Sequence, residues 1–107
     1  GNLLFVSGHV ALDGSGKLVG AGDCEAQSRQ VMANIRAVVE AAGATMQDVV
    51  KITCFLTEGA DYRAYSKVRA ETFPSDPPAS STVFVAALVR PELMVEVEAV
   101  VHVPGGE

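Results

Sequence analysis

The stretch Val49-Val50-Lys51-Ile52-Thr53-Cys54-Phe55-Leu56-Thr57 decides the architecture of this chain. Val50, Ile52, Cys54 and Leu56 alternate with Lys51, Thr53 and Thr57, the two-residue period of a strand with one apolar face; only Phe55 breaks the rule. Such a strand packs one face on helices and leaves the other half polar. Helical patterns lie on both sides of it. Over 24–42, Val31, Ile35, Val38, Val39 and Ala42 form one apolar stripe, with Asp23 placed to cap the start and Gly43 suited to the left-handed residue after the end. Gln27, Arg29, Gln30, Asn34 and Arg36 fall off that stripe. Over 61–72 a second helix is capped by Asp61 and turns Tyr62, Tyr65, Val68 and Phe73 inward; Pro74, Pro77 and Pro78 forbid its continuation. Thr45 to Asp48 has the spacing of a one-turn capping box.

Further strands are expected over 3–7, 17–19, 81–88 and 94–103, with a turn at Asp13-Gly14-Ser15-Gly16 and a frayed tail over 104–107. The order strand, strand, helix, strand, helix, strand, strand predicts an α+β domain: one mixed β-sheet with two helices packed on one face. The other face, carrying Thr53, Phe55 and residues of the last two strands, needs cover, and self-association is the obvious source.

Composition narrows the function. With 107 residues the chain is one domain, spanning 1–107. Hydrophobic residues make up 49% and mean hydropathy is +0.27, more than one small core absorbs, which again implies a partner subunit. No apolar run reaches the ~20 residues of a membrane span, and no signal peptide is visible. Eight Lys and Arg stand against thirteen Asp and Glu, a net charge of −5, whereas nucleic-acid binding leaves a basic footprint. Cys24 and Cys54 lack metal-ligand spacing and read as free thiols in a reducing cytoplasm, with a disulfide as the less favoured alternative. His9 and His102 are equally scattered, so no metal site is expected. Gly14 and Gly16 belong to a turn and open no phosphate-binding helix. Gly1-Asn2 leads straight into an apolar strand, so an N-terminal segment is expected to be missing or disordered.

Three short motifs carry the chemistry: Ser7-Gly8-His9, Pro78-Ala79-Ser80-Ser81-Thr82-Val83, and Val95-Glu96-Val97-Glu98-Ala99. By pattern alone, Glu96 and Glu98 lie on one strand face and read as solvated carboxylates. His9 reads as a surface donor or, near neutral pH, a proton-transfer group. Ser80 to Thr82 either open a strand or hydrogen-bond a ligand.

Together with Cys24-Glu25-Ala26-Gln27-Ser28-Arg29-Gln30, Glu40-Ala41-Ala42-Gly43-Ala44 and the 48–57 segment, these motifs resemble the RidA family, also called YjgF or endoribonuclease L-PSP. The resemblance implies a chorismate-mutase-like fold, a homotrimer whose sheets form a barrel, and a small-molecule cleft at each subunit interface. Some members hydrolyse enamines and imines such as 2-aminoacrylate without metal or organic cofactor. The family segment that supplies an aromatic cleft residue precedes Gly1 and is absent from this sequence.

Position by position, the resemblance gives Ser7 and Gly8 to the cleft lining and Glu96 to the acid that positions water. His9 stands where many members have Gln, and Ser66 where deaminating members often have Asn. Ser80 stands where deaminating members carry an Arg that grips the substrate carboxylate, with Thr82 beyond it. Losing such a bidentate contact costs on the order of 2–5 kcal/mol, roughly thirty- to several-thousand-fold in binding. A hydroxyl at Ser80 suits a neutral or smaller ligand better than an imino acid.

Two functions follow as expectations. The first is a small-molecule-binding protein without efficient imino-acid deamination, using Ser7, Gly8, His9, Ser66, Ser80, Thr82 and Glu96. The second is a cytoplasmic enamine/imine deaminase with Glu96 and His9 as catalytic groups and Arg69 or Arg90 replacing the lost cation. A nuclease role is disfavoured by the acidic charge, and no nucleic-acid or membrane partner is expected.

Overall fold

The computed structural model describes residues 2–105. Its elements are β1 (Asn2–His9), α1 (Cys24–Ala41), a 3₁₀ turn (Met46–Asp48), β2 (Val49–Leu56), α2 (Tyr62–Thr72), β3 (Ala79–Phe84) and β4 (Val95–Val103). The sheet order is β1-β4-β2-β3. β4 runs antiparallel to both β1 and β2, whereas β3 lies parallel to β2. A parallel neighbour needs a crossover, and α2 supplies it. Both helices lie on one face, so the α+β sheet with a single helical layer is as expected.

The local signals account for the helix ends. The Asp23 carboxylate accepts from the Ala26 N–H at 3.0 Å, and Asp61 accepts from Arg63 and Ala64, satisfying donors that a helix start leaves open. The Asp48 carboxylate accepts from the Thr45 N–H at 2.8 Å, closing the one-turn box. Val31, Ile35 and Val39 of α1, Tyr65 and Val68 of α2, Ile52, Cys54 and Leu56 of β2, and Val95, Val97 and Val101 of β4 form the core. Both cysteines are buried and free.

The structure corrects several details. Residues 17–19 form no strand; Leu18 makes an isolated bridge with Leu12. β3 ends at Phe84 rather than at 88. Tyr62 sits in the first turn of α2 and is exposed. Val50 is exposed and Val49 buried, because the β2–β4 register slips between Val49 and Lys51 and a one-residue slip reverses a side chain's face. Gln27, expected off the apolar stripe, is fully buried. Its amide donates to the Gly20 and Glu92 carbonyls at 3.1 and 3.0 Å and accepts from the Met94 N–H at 2.8 Å, tying two loops to α1. Residues 106–107 of the expected tail lie outside the described residues.

The uncovered sheet face carries Leu3 and Phe5 of β1, Thr53 and Phe55 of β2, Val83 of β3 and Val100 of β4. Phe5 is 71% and Leu3 59% exposed. Such apolar exposure on one face is large for a chain of this size. Among the described residues, no helix is long and apolar enough to cross a membrane.

Candidate functional site

The candidate residues fall into two groups, one at each end of the strand order. The first forms where β1 and β4 lose register. Val6 pairs with Ala99 and His9 with Val97, so β1 holds one residue too many between those pairs and bulges at Ser7-Gly8. The bulge and the absence of a side chain at Gly8 let the Glu96 carboxylate lie directly over the backbone. A Cβ built on Gly8 would clash with Glu96 Oε2 and fall 2.7 Å from its Cδ. Glu96 alternates with the buried Val95 and Val97 and pairs with Phe55, so it faces the uncovered side of the sheet, half-buried. Ser7 opens on the same side, in a groove of about 220 Å³ shared with Phe5, Lys51, Thr53 and Glu98.

His9 goes the other way. It pairs with Val97, a core residue, and lines a separate hollow with Asn34 and Asp13 on the helix side. Within one chain His9 and Glu96 therefore point to opposite faces and are not brought together. Asn34, off the stripe by pattern, holds this corner by donating to the Val10 and Leu12 carbonyls at 3.0 and 2.9 Å.

The second group forms at the β3 edge. Ser80 pairs with the core residue Ile52 and Thr82 with Cys54, so both face the helical layer. There Arg69, in the last turn of α2, donates from Nη1 to Ser80 Oγ at 3.4 Å and from Nη2 to Ser66 Oγ at 3.2 Å. Its guanidinium carbon sits 5.6 Å from the centre of the Tyr65 ring, within cation–π range. Ser66, Arg69 and Ser80 are thus brought together, with Thr82 further along the same strand face. Among the described residues, its Oγ1 and the Tyr65 hydroxyl are buried with no hydrogen-bond partner. Burial pushes the Tyr65 hydroxyl above its usual range and raises the Cys54 thiol to about 12, so both stay neutral at physiological pH.

Ser80 and Glu96 lie on opposite faces of the sheet, on an edge strand and an inner strand. They can meet only if the β3 edge of one copy approaches the β1–β4 side of another. Arg90 is not near Ser80; it sits in the loop before β4, 3.8 Å from Glu92. Arg69 is thus the cation at Ser80, which the order of residues named only as one of two candidates. No group of three or more His, Cys, Asp or Glu able to hold a metal occurs among the described residues.

The architecture is thus an α+β sheet with a bulge-seated carboxylate at one side and a serine-lined edge at the other. The chain belongs to the endoribonuclease L-PSP family, the RidA/YjgF group, whose model matches residues 1–103. It is similar to a Rid-family protein of unknown function from Yersinia pestis, with 36% identity over 94% of this chain and 78% of that one, at a TM-score of 0.85. RidA from an Antarctic Psychrobacter superposes at 0.87, with 34% identity over 95% of this chain and 81% of its own. A member of the YjgF/YER057c/UK114 family from Mycobacterium tuberculosis superposes at 0.82, with 33% identity over 94% and 79% of the two chains.

Proposed function

We propose that this chain assembles as a homotrimer and binds a small metabolite in a cleft between copies, without efficient imino-acid deamination. The observation that supports this reading is the separation of the two residue groups. The Ser7-Gly8-Glu96 corner and the Ser66-Ser80-Thr82 edge lie on opposite faces and at different places in the strand order, so a site using both needs two copies. The apolar uncovered face gives the copies a reason to associate.

In that cleft, Glu96 is the group able to hold and orient a water. Its carboxylate accepts hydrogen bonds only, and Gly8 keeps it close to the backbone donors of the bulge. Deamination adds water across a C=N bond and expels ammonia, so it needs that water aimed at the imine carbon and the substrate carboxylate held still. Position 80 supplies a hydroxyl where the deaminating relatives of the resemblance have a cation, and the second requirement is met poorly.

The second reading, an enamine/imine deaminase, is favoured by one observation: the Arg69 guanidinium lies beside Ser80. The test generates 2-aminoacrylate or 2-iminobutanoate in situ and follows its loss. No acceleration by the wild-type protein, with activity gained in Ser80→Arg, supports binding without deamination. Acceleration at catalytic concentrations, abolished in Glu96→Gln, overturns that and establishes the deaminase.

A further inference from the structure

Lys51 and Glu98 carry charges that the candidate site does not use. Both stand on the uncovered sheet face and line the groove beside Phe5 and Ser7. Lys51 is the single Lys or Arg in the four strands, a lone ammonium on a face otherwise rich in apolar side chains. Among the described residues neither Lys51 nor Glu98 has an ion-pair partner, although they share that groove. They turn apart instead. Ser81 of β3 and Glu98 of β4 both pair with Thr53, so hydroxyl and carboxylate flank β2 on opposite sides. The Lys51 ammonium swings to the β3 side and donates to Ser81 Oγ at 2.7 Å, leaving donors free for a further acceptor. Glu98 stays exposed on the β1 side of β2. The face is therefore positive towards the β3 edge and negative towards the β1 edge, where Glu96 adds to Glu98. His102, its other ionisable group, lies further along β4.

Covering this face with apolar surface alone would strip water from two unpaired charges, which is strongly unfavourable. A second copy satisfies both, because an ammonium at one edge and a carboxylate at the other are complementary when copies follow one another head to tail. We propose that Lys51 of one copy pairs with Glu98 of the next, and that this contact sets the register in which copies assemble. The inference rests on the homotrimer reading above and names the residues by which one copy recognises another. Ser81 positions the ammonium for the contact. Three such contacts close a ring, and a related chain lacking either charge is disfavoured as a member of it.

The experiment is sedimentation of the intact protein over a dilution series, with Lys51→Glu, Glu98→Lys and the double swap beside wild type. Wild type is expected to be a trimer at micromolar protein. Each single reversal sets like charges against each other at every contact and should weaken assembly at least about tenfold. The double swap restores opposite charges and should recover wild-type assembly, which also shows that neither residue is needed for folding. Glu40→Lys, an equal change of charge on the exposed side of α1, should leave assembly as it is. A mixture of the two single variants should recover only in part, because any ring of three built from them keeps one like-charge contact. Single variants that assemble as tightly as wild type, a double swap as weak as the singles, or an equal loss in Glu40→Lys would overturn the pairing and leave the trimer standing. Full recovery in the mixture, which a two-fold pair permits, would overturn the head-to-tail arrangement. A wild-type protein that forms no trimer would remove the homotrimer reading and this inference together.

Discussion

Gly8→Ala places a methyl group where the Glu96 carboxylate now lies. The added carbon would be 2.7 Å from Glu96 Cδ, whereas carbon atoms in contact sit about 3.5–4.0 Å apart. The carboxylate therefore retreats by about 1 Å. The backbone at Gly8 is outside the left-handed region, so alanine adds no strain there. The group that yields is the end of a flexible side chain. The cost in stability is a rotamer change, about 0.5–1.5 kcal/mol, which in a domain of this size lowers Tm by no more than about 10 °C. The functional cost is larger. In Ser80→Arg, where imino-acid hydrolysis is expected, displacing the water-orienting carboxylate by about 1 Å lowers the rate on the order of a hundredfold. Thermal unfolding of Gly8→Ala, Glu96→Ala and the double variant measures the clash directly. In the double variant the methyl group meets no carboxylate, and a coupling of about 1 kcal/mol is expected. Additive effects, or an unchanged rate with Gly8→Ala in the Ser80→Arg background, would refute the contact as the feature that places Glu96.

Light scattering at micromolar protein should give about three times the 11.1 kDa chain mass; a monomer would remove the reason for a shared cleft. Gln27→Ala should destabilise by about 3 kcal/mol in denaturant melts, because it strands the Glu92 carbonyl and the Met94 N–H that the amide now satisfies, while the Gly20 carbonyl keeps the Asp23 N–H; a loss under about 1 kcal/mol would show that water replaces it. Stability should also fall in alkali. Cys54 titrates near 9 when unfolded but at about 12 when buried, and Tyr65 is raised likewise. Their contribution is complete below pH 9 and is lost as pH rises toward 12, as the unfolded chain sheds the protons first. A flat pH dependence of Tm over that window in wild type would contradict their burial as neutral groups.

What the sequence settled by itself is whatever neighbouring residues decide among themselves. Asp23 and Asp61 cap helices because their carboxylates reach donors two or three residues on. Pro74 cannot continue a helix, and Ile52, Cys54 and Leu56 alternate because a strand has two faces. The motif at 78–83 and the Glu at 96 stood out as candidate site residues through the family resemblance; by pattern alone they read as a strand opening and a solvated carboxylate. Tertiary structure decided the rest. Two slips of one residue, visible only when strands pair, did this: one between β2 and β4 turned Val50 outward, and one between β1 and β4 seated Glu96 on Gly8. Gln27 is polar by type, yet the Glu92 carbonyl and Met94 N–H of the loop before β4 take it as their partner and hold it in the core. Strand order put Ser80 on the opposite face from Glu96, and the crossover helix brought Arg69 from eleven positions away to the hydroxyl it now holds. Hydrophobic pattern reports which residues leave water; pairing partner, bulge and crossover decide what each one meets.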